Sequence, residues 1–459
     1  MSDVARLPDL ASRALGGAVV AANDEFFAAK ENLVRPEPAS ARMEFGHRGK
    51  EYDGWETRRR RSPGSDWAIV RLGAPGIVAG VVVDTAFFTG NYPPRASLDG
   101  AAVEGHPSAD ELLKADWQPL LAMSDLAGDT ANAFAVDSDR RVTHVRLNIH
   151  PDGGVARLRV HGTVVPDPRL VDAGPFDLAA LENGGQVTGV SDEFYGRPTQ
   201  LIGRGLARSM GDGWETARRR DQGNDWVEVS LACAGVVTLA ELDTSWFLGN
   251  APGSASLTGI GPDGEVALLP RTRLQPDTRH RFVLDSSPGV ERVRLDVFPD
   301  GGMARLRLWG RPTAAGRSTL GRRWFDALPD VQALEVLGAL GVPPRDAGRL
   351  VGARPLSGDL PPAVVRLLDG DAACPDEGGS AWRPRSPSSS SSRCSWSAGS
   401  APRSRSPQSA SRTRWPTRSR PSWTSVPTCA ARASWRPRSV PRPAAPRAST
   451  ARPTGRRSP

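Results

Sequence analysis

Cysteine, tyrosine and histidine are all scarce in this 459-residue chain, at four, three and six residues, and each scarcity closes off a class of protein. Cys233, Cys374, Cys394 and Cys429 stand far apart with no CxxC spacing, so neither a disulfide framework nor a zinc knuckle is available. The histidines supply no metal set. His144 and His150 share one strand face but stand about 20 Å apart at the usual rise per residue. His150 and His161, which a hairpin could bring together, are two ligands where a site needs more. No cofactor is indicated, and a divalent metal would have to recruit carboxylates from elsewhere in the chain. Apolar runs long enough to span a bilayer are also missing. Ala14–Ala22, behind Arg13, has only the size of a signal-peptide apolar core.

Acidic residues are missing from one region alone. The net charge is +8 and the isoelectric point about 10.0, which would ordinarily suggest a polyanionic partner. From Gly378 to Pro459, however, there are seventeen arginines and neither lysine nor acid, which leaves residues 1–377 at −9. Beyond Gly378 there is no Leu, Ile, Phe, Met or Tyr either, so this stretch cannot build a core. Residues 371–459 are therefore expected to form a disordered Arg/Ser/Pro-rich tail. Either it is a basic arm, or it is GC-rich coding sequence translated in a shifted frame, as its scattered Trp residues suggest. No nucleic-acid partner is expected from the acidic remainder.

What the chain does have is an internal repeat. DLASRALGGAVVAANDEFF from Asp9 returns as DLAALENGGQVTGVSDEFY from Asp177, and DGWETRRRRSPGSDW from Asp53 as DGWETARRRDQGNDW from Asp212. VDTAFFTGNYP from Val83 returns as LDTSWFLGNAP from Leu242, and VRLNIHPDGGVARLRVHG from Val145 as VRLDVFPDGGMARLRLWG from Val293. Matched blocks in one order mean duplication of a whole domain, at 1–165 and 166–316. The segment Ala14–Ala22 thus belongs to a folded unit rather than a leader, and with no membrane span the protein is expected to be cytoplasmic.

Each copy alternates as β-strand. Val145, Leu147 and Ile149 share one face, PDGG turns the chain, and Ala156, Leu158 and Val160 point inward with Arg157, Arg159 and His161 outward. The fold class is all-β: two duplicated antiparallel sandwiches or jelly rolls. Trp55, Trp67, Trp214 and Trp226 are expected in the core or at its rim. In 317–370 the pattern changes. Leu328, Val331, Leu334, Val336, Leu337 and Leu340 recur at helical spacing and Gly341 with Pro343 gives a stop, so a short helical extension packed on the second sandwich is expected. A short resemblance to the opening of ureidoimidazoline decarboxylase offers another origin for this stretch.

NDEFFAAKENLV, GWETRRRR, SDWAIVRLG, DTAFFTGNYPP and the hairpin block, each doubled, resemble the allantoicase (allantoate amidinohydrolase) family over residues 1 to about 316. The resemblance implies two jelly-roll domains and hydrolysis of allantoate to ureidoglycolate and urea in purine breakdown. It also implies a histidine before the Asp-Trp pair in many members, where this chain has Ser65 and Asn224. The other reading of such a sandwich is a non-catalytic module that binds a small ligand or carbohydrate.

Allantoate carries a carboxylate flanked by ureido groups, and a guanidinium fork matches a carboxylate. Arg58, Arg59 and Arg60, with Arg218, Arg219 and Arg220 in the second copy, are the candidates for binding it. Most arginines in such a run are nonetheless solvated or paired, and in extended chain Arg58 and Arg60 face away from Arg59 and Arg61. Glu56 and Glu215, in the Trp-Glu-Thr triplets, and Asp84 and Asp243, at strand ends, are the candidate acid–base groups if burial raises their proton affinity. Against Asp84 and Asp243 stands the ordinary turn-capping role of a strand-end Asp. Asn91 and Asn250 are further candidates for substrate contact, although an Asn after Gly is also explained by a turn with positive φ. Ala217 interrupts the second arginine run, and Phe298 and Trp309 replace His150 and His161, so the first copy is expected to hold more of the polar groups. Homo-oligomerisation is compatible with all of this. Deleting residues 378–459 should leave urea release from allantoate intact; its loss with the fold preserved would show the tail to be functional.

Overall fold

The computed structural model describes residues 4–41, 45–47, 49–285, 287–358 and 360–370. The tail expected over 371–459 lies outside the described residues.

Each repeat is an antiparallel β-sandwich threaded by one 19-residue strand, Asp66–Asp84 in the first and Asp225–Asp243 in the second. Its first half pairs with Ala18–Ala22 and Arg141–His150, and its second half with Arg157–Val164 and Ala131–Ala135. The register breaks between Arg71 and Gly76. There Gly73, Ala74 and Pro75 turn the strand from one layer to the other, and a proline is tolerated because the ladder is already interrupted. Both strand ends come back to one turn: the Asp66 amide donates to the Pro151 carbonyl at 3.0 Å, and the Ala156 amide donates to the Asp84 carbonyl at 2.7 Å. The second strand repeats this with Asp225 to Pro299 at 3.1 Å and Ala304 to Asp243 at 2.7 Å. His150–Pro151 and Phe298–Pro299 are both cis.

The alternation read from the sequence builds the cores. Val145, Leu147, Ile149, Leu158 and Val160 are fully buried in the first, and Val293, Leu295, Val297, Leu306 and Leu308 in the second. Trp55 and Trp214 are also fully buried, each donating its indole N–H at 2.8 Å, to the carbonyls of Asp24 and Asp192. Trp67 and Trp226 are half-buried at the rim.

The outward face of the returning strand differs from the expected solvated one. Arg157, on that face, is only 1% exposed, because residues 36–40 fold over it. Its guanidinium donates to the carbonyls of Glu37 and Asp53 at 3.0 and 2.9 Å and to the Asp53 carboxylate at 2.9 Å. Arg305 repeats the arrangement with the carbonyls of Gly205 and Asp212.

After Pro312, four helices follow among the described residues: Ala314–Ala327, Asp330–Ala339, Pro344–Gly352 and Pro362–Asp369. They enclose a third core around Trp324, Phe325, Leu337, Val364 and Leu368. The extension rests on both sandwiches rather than on the second alone, since Val165 joins this core, Arg323 donates to the Val164 carbonyl and Gln332 to the Ala102 carbonyl. Leu328, Ala333 and Leu337 face inward, whereas Val331 and Leu334 are 61% and 40% exposed. At 3.6 residues per turn Val331 lies on the side away from the Ala333–Leu337 stripe. Among the described residues no helix is long and apolar enough to cross a membrane.

The Arg157–Asp53 pair offers a test of what holds the strap onto the sandwich. Burial by itself would raise the Asp53 proton affinity, but the Arg157 guanidinium and the Ser40 amide and hydroxyl hold its pKa down at about 2. Arg157→Ala removes that counter-charge and should cost about 3 kcal/mol or more in urea unfolding near neutral pH. A depressed carboxyl stabilises above its unfolded pKa and ceases to do so as pH falls through the folded one. The stability gap between wild type and Asp53→Asn should therefore be full above pH ~4 and close towards pH ~2; a gap that stays constant would count against this account.

Candidate active site

Glu56 is placed by its neighbour. Trp55 and Glu56 form a two-residue strand paired with Gly154–Val155 and bridged to Ala28. Since Trp55 is sunk in the core, strand alternation directs Glu56 to the opposite side, at the sandwich rim.

The segment that follows the threading strand brings Asn91 to meet it. Asp84 accepts the Ala86 amide at 2.9 Å, and Thr85 donates to the Ala127 carbonyl at 2.7 Å. Phe87 then adopts φ +68°, held by its amide donating to the Asp129 carboxylate at 2.7 Å. An aromatic residue at positive φ is strained. The positive φ thus falls at Phe87 and, in the second repeat, at Trp246 (φ +75°), not at Asn91 and Asn250 as the Gly-Asn pairs suggested. This twist buries Phe88 fully against Gly154, where an added Cβ would lie 2.0 Å from the ring. Beyond buried Phe88, the chain delivers the Asn91 side-chain amide to Glu56 Oε1 at 2.7 Å.

Around this pair lies a cavity of about 430 Å³ lined by Phe27, Lys50, Tyr52, Glu56, Thr89, Gly90 and Asn91. Tyr52 stacks on Phe88 with centroids 4.8 Å apart, and the Lys50 ammonium sits 4.9 Å from the Tyr52 ring centre. Lys50 comes from the small hairpin Phe45–Gly46/Gly49–Lys50. Burial raises the proton affinity of Glu56, and the Asn91 hydrogen bond only partly offsets it. Burial thus moves this carboxyl in the direction that acid–base chemistry requires.

The arginine run braces the rim instead of lining this cavity. Arg58 grips the Asp24 carboxylate through Nε and Nη2 at 2.7 and 2.6 Å. Arg60 donates to Asp66 at 2.6 Å, and its amide donates to Asp152. Arg59 is exposed. In the second repeat Arg219 pairs with Asp225 and Asp221 at 2.7 and 3.0 Å, while Arg218 and Arg220 are exposed. Asp84 and Asp243 cap turns: Asp243 accepts the Ser245 amide at 2.8 Å, and neither lines the cavity.

The second repeat keeps the pair and loses its surroundings. Asn250 donates to Glu215 at 2.5 Å and also reaches the Met210 sulfur at 3.4 Å. Ser209, Met210 and Gly211 stand where the first repeat has Lys50, Glu51 and Tyr52. Lys50 and Tyr52 had escaped the sequence reading because they lie just outside the repeated block. The available signal was that Lys50 is one of three lysines in a chain whose cations are otherwise arginine.

A larger cavity, about 1130 Å³, runs between the N-terminal segment and the second repeat, with Asp9, Arg13, Arg204, Arg208 and Asp212 on its walls. Arg208 is already paired with Asp212 at 2.9 Å, and Arg204 donates to the Leu15 carbonyl. Among the described residues no three His, Cys, Asp or Glu side chains gather as metal ligands. His144 is buried beside Thr143, and burial, then the Arg71 charge, pushes its pKa down to about 4. His150 meets Ser97 at 3.1 Å and is shifted down mainly by burial.

The allantoicase-repeat family profile matches residues 8–165 and 176–313. The chain is 62% identical over 309 residues to a probable allantoicase of Nocardia farcinica, a match covering 66% of this chain and 94% of the relative. It is 42% identical over 322 residues to the allantoicase of Dictyostelium discoideum, covering 66% and 87%. The crystal structure of allantoicase from Saccharomyces cerevisiae superposes with a TM-score of 0.59 at 33% identity, covering 66% of this chain and 92% of that one. The match of the family profile to both repeats, over more than half of the chain, means that this chain belongs to the allantoicase family.

Proposed function

We propose that this chain hydrolyses a C–N bond of allantoate, releasing urea and ureidoglycolate, and that the first-repeat cavity is where it does so. The observation that carries the placement is Glu56: a half-buried carboxyl of raised proton affinity, oriented by Asn91 in a cavity sized for a small ureide. The reacting bond joins an sp³ carbon to a ureido nitrogen. Glu56 donates its proton to that nitrogen as the bond breaks, and urea leaves with both bonding electrons. The other ureido nitrogen supplies a lone pair to form an iminium ion. Water then adds to the iminium carbon, and the Glu56 carboxylate takes a proton from it, so one water is consumed and the carboxyl returns to its starting state. Asn91 is a positioning residue, because its bond to Oε1 fixes the plane of the carboxyl group.

The same reading gives the arginines a supporting part. Arg58 on Asp24 and Arg60 on Asp66 hold the loops on either side of Glu56, which gives two of the four arginines after Trp-Glu-Thr a bracing part outside the cavity. The ligand-binding alternative is not favoured, since the chain is 62% identical to a probable allantoicase across nearly all of that protein and keeps a carboxyl of raised proton affinity in its cavity.

Urea release from allantoate, assayed on purified wild type, Glu56→Gln and Glu215→Gln, is the direct test. Glu56→Gln should lower kcat on the order of 100-fold or more, the scale of a lost general acid, whereas Glu215→Gln should change it by less than about threefold. Equal losses would point to a site shared by the repeats. The same Glu56→Gln protein should also unfold at higher temperature than wild type at neutral pH. A carboxyl whose folded pKa is raised costs stability once ionised, so the difference should be present at neutral pH and vanish below the unfolded pKa of ~4.3.

A further inference from the structure

We infer that Lys50 is the specificity-determining residue that anchors the substrate's carboxylate. This rests on placing the reaction at Glu56.

Allantoate is an anion, and its binding site must meet that charge with a cation. Arg58 and Arg60 are committed to Asp24 and Asp66, and neither they nor Arg59 line the cavity. Lys50 is the cation that does. Among the described residues its ammonium meets no carboxylate; its contact is the face of the Tyr52 ring. A cation–π contact places the ammonium without consuming its N–H donors. Tyr52 is itself fixed by stacking on buried Phe88, so the ammonium is steadied from below and open towards the cavity.

The charge also sits apart from the acid. Burial and the Asn91 bond set the proton affinity of Glu56. A cation in direct contact with Glu56 would hold that carboxyl ionised and remove the proton it has to donate. Separate seats for cation and acid suit a substrate whose carboxylate and leaving nitrogen are borne by one carbon: the first pairs with Lys50 while the second faces Glu56. The second repeat supplies the contrast, because its Glu215–Asn250 pair has Ser209 and Gly211 in the places of Lys50 and Tyr52. With no anchor there, the second repeat does not retain an anionic ureide.

The test compares wild type, Lys50→Met and Lys50→Arg on two substrates, allantoate and its uncharged methyl ester. Lys50→Met should raise KM for allantoate by roughly 10- to 100-fold, the range of a lost charge-assisted hydrogen bond, with kcat within about threefold of wild type. Its kcat/KM for the ester should stay within about threefold of the wild-type value, and Lys50→Arg should recover part of the affinity for the acid. An unchanged KM for allantoate, or equal losses on acid and ester, overturns the inference. Calorimetric titration of allantoate into Glu56→Gln protein separates this inference from the placement of the reaction. Binding weakened by roughly tenfold or more on adding Lys50→Met supports the anchor, and binding weakened less than that overturns the anchor. Retained turnover in Glu56→Gln would instead overturn the placement at Glu56.

Discussion

One strand has to serve both layers of each sandwich, and the rest of the architecture follows from how it manages this. Because Asp66–Asp84 turns over at Gly73–Gly76, its two ends return to the same place, the Pro151–Ala156 turn. That turn is also where Gly154–Val155 pairs with the strand that carries Glu56. The residues before Asp66 and after Asp84 are thereby brought to one rim. Arg60 reaches in from one side and Asn91 from the other. Residues separated by 35 positions meet because the strand between them folds back on itself, and no long loop has to be ordered to bring them together.

The carboxylates of the rim differ in what meets them. Asp24, Asp53 and Asp66 each have an arginine within hydrogen-bonding distance, which is how buried carboxylates are ordinarily tolerated. Glu56 has an amide instead of a guanidinium. An amide donates one hydrogen bond without bringing a full positive charge, so the cost of desolvating the anion is left partly uncompensated and the proton affinity of Glu56 is raised. In a chain so rich in arginine, Glu56 is thus distinguished from the paired aspartates by an amide partner in place of a guanidinium.

Much of the fold was legible because it is periodic. Val145, Leu147 and Ile149 declare a buried strand face by alternation alone, and the doubling of whole blocks shows which segments must form one domain. Glu56 and Asn91 were legible as polar residues repeated in blocks, although their contact is set by the threading strand and has no local signature. The arginines misled for a physical reason: sequence shows a guanidinium but not whether an aspartate 34 residues earlier has already claimed it, as Asp24 has claimed Arg58. Arg157 was expected to face solvent because alternation reports which face a residue is on, not whether a later strap covers that face. Val331 and Leu334 erred in the opposite way, since helical spacing admits more apolar positions than one short helix can bury.

The duplication sharpens the distinction between scaffold and chemistry. Features needed to close the sandwich are present twice: the buried Trp, the cis-proline turn, the ring pressed on glycine at Phe88 and Phe247, and the strained aromatic at Phe87 and Trp246. Backbone strain persists where the surrounding structure over-determines it, and both copies hold theirs with an aspartate, Asp129 or Asp277, on the strained amide. Strain kept in both repeats therefore belongs to the fold that presents the Glu–Asn pair and says nothing about which pair turns over. What is present once is the hairpin bearing Lys50 and the ring of Tyr52. The Glu–Asn pair is fixed in both repeats by a repeated fold, whereas the lysine and tyrosine beside the first pair are replaced by Ser209 and Gly211 in the second.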